Sequence, residues 1–208
     1  MKNNGRIIAI TGPSGSGKNT IANLLCEKFN AIIPRHCTTR SPRKDDAENF
    51  YRYISHEEFK MYLDNNLFLL ASGDSLIVSK ENGNFYGILY EDCKKAFLNS
   101  DVIIIFVSYK DINRLKELQE SGTNIDIVNL TFSNIELGIK NRLENNPERD
   151  HSLKDIQRRI ISAKEDNLKY GLEVKESSIC TVYTDLLNVE ETFDIICESL
   201  PKIKKYIK

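Results

Sequence analysis

One stretch constrains this chain more than any other: Gly12-Pro13-Ser14-Gly15-Ser16-Gly17-Lys18-Asn19-Thr20. It follows the apolar run Ile7-Ile8-Ala9-Ile10 and precedes Ile21, Leu24, Leu25 and Cys26 at helical spacing. Strand, glycine-rich turn and helix in that order predict a phosphate-binding loop. The glycines let successive backbone N–H groups converge on phosphate oxygens, and the following helix aims the positive end of its dipole at the same point. Lys18 adds a mobile positive charge for the β- and γ-phosphates of a nucleoside triphosphate. The motif usually has Ser or Thr directly after the lysine, whereas this chain has Asn19 there and Thr20 one place later. The competing reading is a glycine-rich turn without a ligand, and the spacing, the lysine and both flanks argue against it.

The chain has 208 residues, which suits one domain, or one domain with small insertions, around a sizeable core. Its 29 basic and 30 acidic residues leave a net charge of -1. That balance gives no electrostatic case for nucleic acid or a membrane as partner, so phosphate binding must come from local clusters. The five cysteines, Cys26, Cys37, Cys93, Cys180 and Cys197, are dispersed and form no CxxC. An odd, scattered set behind an N-terminus without a secretion signal predicts reduced thiols and a cytoplasmic protein. The longest apolar run, 102–107, is far too short to cross a bilayer.

Along the chain, strands are expected at 6–11, 31–34, 67–71, 85–89, 102–107, 125–132 and 179–183. Helices are expected at 18–29, 55–65, 90–98, 111–120, 133–143, 153–168 and 189–206. Two starts carry capping-box patterns, Ser55 with Glu58 and Ser133 with Glu136. Residues 73–84 read as a hairpin or loop, with Glu81-Asn82-Gly83 as a turn signal. The β-branched run 102–107 suits a strand covered on both faces of a parallel sheet. Alternating strands and helices predict an α/β fold with a mainly parallel sheet. Residues 36–89 break the alternation and read as an inserted subdomain. The core is then 1–35 with 90–208 of one 1–208 domain.

Beyond the loop, Thr38-Thr39-Arg40-Ser41-Pro42-Arg43 supplies two arginines three apart. Arginine forks suit phosphate monoesters, although on spacing alone a solvated basic loop reads equally well. Tyr51-Arg52-Tyr53-Ile54-Ser55, Glu58-Phe59 and Asn84-Phe85-Tyr86-Gly87 follow. Taken with the loop, these motifs resemble guanylate kinase in order and approximate spacing along nearly the whole chain. The resemblance implies a P-loop kinase core, an acceptor-binding subdomain and an arginine-bearing lid at about 140–165. It places the acceptor's phosphate on Arg40, Arg43, Tyr51 and Tyr86. Arg142, Arg149 and Arg159 fall near the family's lid arginines; read without the family, Arg142 and Arg159 are exposed helix charges.

The departures concern the base. Guanylate kinases read guanine with polar groups, and counting from the matched motifs these positions hold His36, Leu70, Ile88 and Ser108. His36 is either an acceptor ligand or a loop cap. About half a dozen extra residues separate Leu70 from Asn84, and within them Asp74 or Glu81 could replace the missing carboxylate. The phosphate half of the acceptor site is retained and the base half is rewritten. The resemblance thus implies an ATP-dependent transfer of phosphate to GMP or a related nucleoside monophosphate. A ribose 1,5-bisphosphate phosphokinase-like enzyme is the alternative, followed by a non-catalytic binding module. Lys18, Arg142, Arg149 and Arg159 would act on the transferring group, with ATP on residues 12–20 and Mg²⁺ on Thr20 or Asn19, directly or through water. The expected partners are ATP and a small phosphorylated acceptor, bound by a monomer or homodimer.

Overall fold

The computed structural model describes residues 5–42, 46, 48, 50–73, 83–145 and 152–200. Its central sheet joins β6 (Val102–Phe106), β1 (Arg6–Thr11), β7 (Ile125–Thr131) and β8 (Cys180–Tyr183) in that order, all parallel. Every residue of β1 and β7 is buried, as the apolar runs require of strands covered on both faces. Two polar side chains in these strands answer each other: the Arg6 guanidinium pairs with the Asp126 carboxylate on the neighbouring strand. On one face, α1 (Lys18–Phe29) buries Ile21, Ala22, Leu25 and Phe29 against Ile8, Ile10 and Ile104 and against α7 (Val189–Ser199). On the other, α3 (Tyr90–Asn99), α4 (Ile112–Glu120) and α6 (Leu153–Ser177) close over Ile7, Ile103, Ile105 and Ile127. Each fully buried isoleucine contributes about 1.5–3 kcal/mol, so this layer dominates stability.

A second sheet runs β3 (Tyr51–Tyr53), β2 (His36–Thr38), β5 (Phe85–Leu89), β4 (Phe68–Gly73). The first pair is parallel and the other two antiparallel. Helix α2 (His56–Asp64) seals one face through Phe59, which packs with Cys37, Phe68 and Leu89. The opposite face carries the register row Tyr51, His36, Ile88, Leu70 and, two residues on, Tyr53, Thr38 and Tyr86. The fold is α/β with a parallel core sheet, as the alternation implied.

Three expectations need correction. Residues 31–34 form no strand: Ile32 makes only an isolated parallel bridge to Ile103. Pro34 has no N–H to extend that ladder, and pairing resumes at His36 in the other sheet. The helix expected to start with Ser133 as cap begins after Asn134, whose side chain accepts from the Leu137 N–H at 3.1 Å, and runs as α5 over Ile135–Glu144. Ser133 instead gives its N–H (2.8 Å) and its hydroxyl to Asp185, a partner 52 positions away that local pattern cannot see. The helix expected to stop at 168 continues to Ser177 through Gly171. It leaves Leu168 and Leu172 exposed and buries only Ile156 and Val174, so apolar rhythm marks its length poorly. The last helix ends at Ser199, and its expected remainder at 201–206 lies outside the described residues. So do Asp74, Glu81 and most of the expected turn before Asn84.

Candidate active site

Between β1 and α1 the chain turns through Gly12, Gly15 and Gly17, all at positive φ (142°, 81° and 84°). Gly12 is the least replaceable, because a Cβ there would stand 1.8 Å from the Leu130 carbonyl oxygen. Gly17 occupies the helix N-cap with left-handed geometry and no side-chain cap, which leaves the first-turn N–H groups of α1 open to an anion. Lys18 folds back across the loop and donates to the carbonyls of Gly12 and Pro13, both at 2.8 Å. Burial, helped by the nearby Arg159 guanidinium, lowers its pKa from 10.5 to about 8. Ser16 lies under the turn with its buried hydroxyl unpartnered. Asn19 and Thr20 are exposed in the first helical turn.

The helices after β7 bring arginines to this loop. Arg159 donates to the Ser14 hydroxyl at 2.9 Å and is held from behind by Asp155, one helical turn earlier, at 2.8 Å. The Arg142 side chain passes within 3.0 Å of where a Cβ on Gly15 would sit, and its guanidinium donates to the Thr184 carbonyl at 2.9 Å. Two of the three predicted lid arginines, Arg142 and Arg159, therefore stand against the phosphate loop. Arg149 lies outside the described residues. A cleft of about 490 Å³ opens beside the loop, lined by Gly12, Pro13 and Ser14, by Asn84 and Tyr86 of the second sheet's side, and by Arg158, Arg159, Ser162 and Asp166 of α6. Two predicted components, the loop and Tyr86, thus face each other across one space. Asn84, Ser162 and Asp166 were not anticipated, because the helical period of α6 and the strand motif beside Asn84 do not mark which of their side chains meet that wall.

Beside the second sheet, Arg40 is buried above the Tyr51 ring, 4.5 Å from its centroid. Two threonines explain its placement. The Thr38 hydroxyl accepts from the Arg40 N–H at 3.2 Å, and Thr39 bridges to Phe85 through both its N–H (3.1 Å) and its hydroxyl (2.9 Å). The guanidinium forks onto the Asp46 carboxylate, which keeps Arg40 firmly protonated. Arg43 lies outside the described residues. His36 turns inward: its Nδ1 lies 3.0 Å from the Pro34 carbonyl and its Nε2 accepts from the Phe106 N–H at 3.3 Å. Burial lowers its pKa to about 4, so the ring is neutral. It stacks on Phe50 at 5.1 Å with a 4° interplanar angle, and Phe106 completes the cluster. Both nitrogens are thus engaged by backbone groups. Leu70 and Ile88, its neighbours in the row, are 4% and 2% exposed and pack into the main core. Ser108 caps the short turn Tyr109–Asp111, with its N–H on the Asp111 carboxylate at 2.7 Å.

Residues 4–203 match the guanylate kinase family model. The chain belongs to the guanylate kinase family. Among similar family proteins, one named guanylate kinase from Mycoplasmopsis synoviae (strain 53) is 29% identical over 79% of this chain and 82% of its own. Another, from Clostridium perfringens (strain 13 / Type A), is 30% identical over 70% of this chain, and the match spans 65% of that relative's length. The crystal structure of guanylate kinase from Anaplasma phagocytophilum superposes with a TM-score of 0.66 at 18% identity, covering all of this chain and 89% of that one. That likeness concerns the fold. Among the described residues no helix is long and apolar enough to cross a membrane.

Proposed function

We propose that this chain transfers the γ-phosphoryl group of ATP to GMP or a related nucleoside monophosphate, with little selection for guanine. The donor half supports phosphoryl transfer. Lys18 is poised over the loop carbonyls, ready to exchange them for phosphate oxygens, and the N-terminus of α1 adds its N–H groups. Asn19 and Thr20 present neutral oxygens at the helix start, which fit a hard cation that keeps several waters. Magnesium bound there with ATP would neutralise the β- and γ-phosphates. Arg142 and Arg159 would stabilise charge on the transferring group, and Arg149 is proposed as the third lid arginine. Such positioned charge is the main catalytic resource in this chemistry. No general base is required, because a phosphate acceptor is already an anion.

The observation behind weak guanine selection is the row His36, Ile88, Leu70. Guanine offers donors at N1 and N2, and each donor left unpaired against an apolar wall costs about 1–3 kcal/mol. This row offers two packed aliphatic side chains and a histidine with both nitrogens engaged. The same row favours the sugar-phosphate reading as the runner-up, since such an acceptor has no base to recognise. The binding-module reading is disfavoured by the intact lysine and loop. The deciding experiment is an ATP-consumption assay with GMP, dGMP, AMP, UMP and ribose 1,5-bisphosphate as acceptors. GMP efficiency should lie within about tenfold of at least one other acceptor, since a site lacking matched polar groups discriminates weakly. Preference for GMP by about 10⁴ or more would mean that guanine is read by groups outside this row.

A further inference from the structure

Arg40 has five N–H donors in a rigid plane. Its Nη1 donates to Asp46 Oδ2 at 2.8 Å and to the Ser41 carbonyl at 2.9 Å, while Nη2 donates to Asp46 Oδ1. The carboxylate therefore occupies the end of the fork. Nε–H and the second Nη2–H form a parallel pair along the side edge, a geometry that matches two oxygens of a phosphate monoester, and the Tyr51 side chain hydrogen-bonds to the same guanidinium. The plane of the guanidinium is set by the Tyr51 ring at 4.5 Å and the Tyr53 ring at 5.8 Å. Tyr53 also donates its hydroxyl to Asp46 Oδ2, so the carboxylate is itself held in place. The Arg40 and Asp46 side chains are only 6% and 11% exposed. A flexible arginine would lose rotamer freedom on catching a phosphate; here that freedom is removed beforehand.

We propose that Asp46, steadied by Tyr53, is a positioning residue that presents the side edge of Arg40 to the acceptor's phosphate. The inference rests on the function proposed above, with Arg40 holding the acceptor's phosphate as the family resemblance implies. It opposes the other consequence of a carboxylate on this arginine, that Asp46 competes with the phosphate for the same donors. The two have opposite signs. If Asp46 positions Arg40, Asp46→Asn raises the acceptor KM about tenfold, the loss expected when a charge-assisted contact is misaligned, with kcat within about threefold and the KM for ATP unchanged. Asp46→Glu, which restores the carboxylate, recovers part of that loss. Tyr53→Phe removes one hydrogen bond to the carboxylate and raises the acceptor KM about two- to threefold, and it tests the idea even if Asp46→Asn folds poorly. An acceptor KM that falls or stays constant in Asp46→Asn, or in Tyr53→Phe where the first variant does not fold, overturns the positioning role. Calorimetric binding of GMP without ATP separates this proposal from the functional one. A parent protein that phosphorylates none of the five acceptors fails the functional reading. An Asp46→Asn protein that binds GMP as tightly as the parent fails this one.

Discussion

The donor loop and the acceptor sheet meet at the same cleft but are assembled differently. The backbone of the loop is shaped mainly by near neighbours: three glycines set the turn, and Lys18 bonds to carbonyls five and six positions away. The acceptor face instead draws one register row from four strands, with Tyr51, His36, Ile88 and Leu70 side by side. Its polar part, around Arg40, is fixed by threonines, tyrosines and Asp46; its other part is packed like core. A site built from local backbone tolerates little change in sequence, whereas one built across strands can keep its phosphate contacts and exchange its base contacts for hydrophobic packing. The resemblance read from the sequence rests on the loop and the arginine motif, and the departures from it lie in the row.

Three experiments press on that contrast. The largest expected effect is in the donor half. Lys18→Ala should lower transfer by about 10³-fold or more, in line with loss of a transition-state charge contact, and leave the melting temperature nearly unchanged. Steady-state rates and a thermal melt check it, and a rate within about tenfold of the parent defeats the kinase reading. In the acceptor half the dominant effect should be on stability. Leu70 is 4% exposed in the main core, so Leu70→Ala should destabilise the protein by about 2–4 kcal/mol in urea unfolding while ATP affinity holds. A loss below about 0.5 kcal/mol would mean that Leu70 lines open space for a ligand and is not core.

The smallest effect concerns protons. Lys18 titrates near 8 before phosphate arrives, and a bound triphosphate favours its charged form and raises that value. At pH 8.5 the free site is mostly neutral, so ATP binding should take up roughly three quarters of a proton. Calorimetry in buffers of different ionisation enthalpy reads this uptake, which should vanish at pH 6.5, where the lysine is already charged, and in Lys18→Met at either pH. Uptake that survives in Lys18→Met would place the proton on another group.

How much of this could be read from residues alone follows the same division. The loop, its lysine and the helix behind it were legible because strand, turn and helix are adjacent in sequence and each obeys a local rule. The apolar runs likewise predicted the parallel core, since a strand buried on both faces has to be apolar throughout. Arg40 and Tyr51 were visible as a motif, yet Asp46 and Tyr53 as their supports were not, because a carboxylate six positions further on has no periodicity to mark it. The cap of α5 was misplaced because Asp185 captures Ser133 from 52 residues away. That Pro34 and Phe106 meet the two nitrogens of His36 was likewise not visible in the sequence. Local backbone chemistry, set by glycine freedom, helix polarity and apolar period, was determined by the sequence itself. Which polar groups face the cleft and which are consumed inside the protein was decided only by tertiary pairing, because a hydrogen-bond partner supplied by a distant strand leaves no trace in the residues beside it.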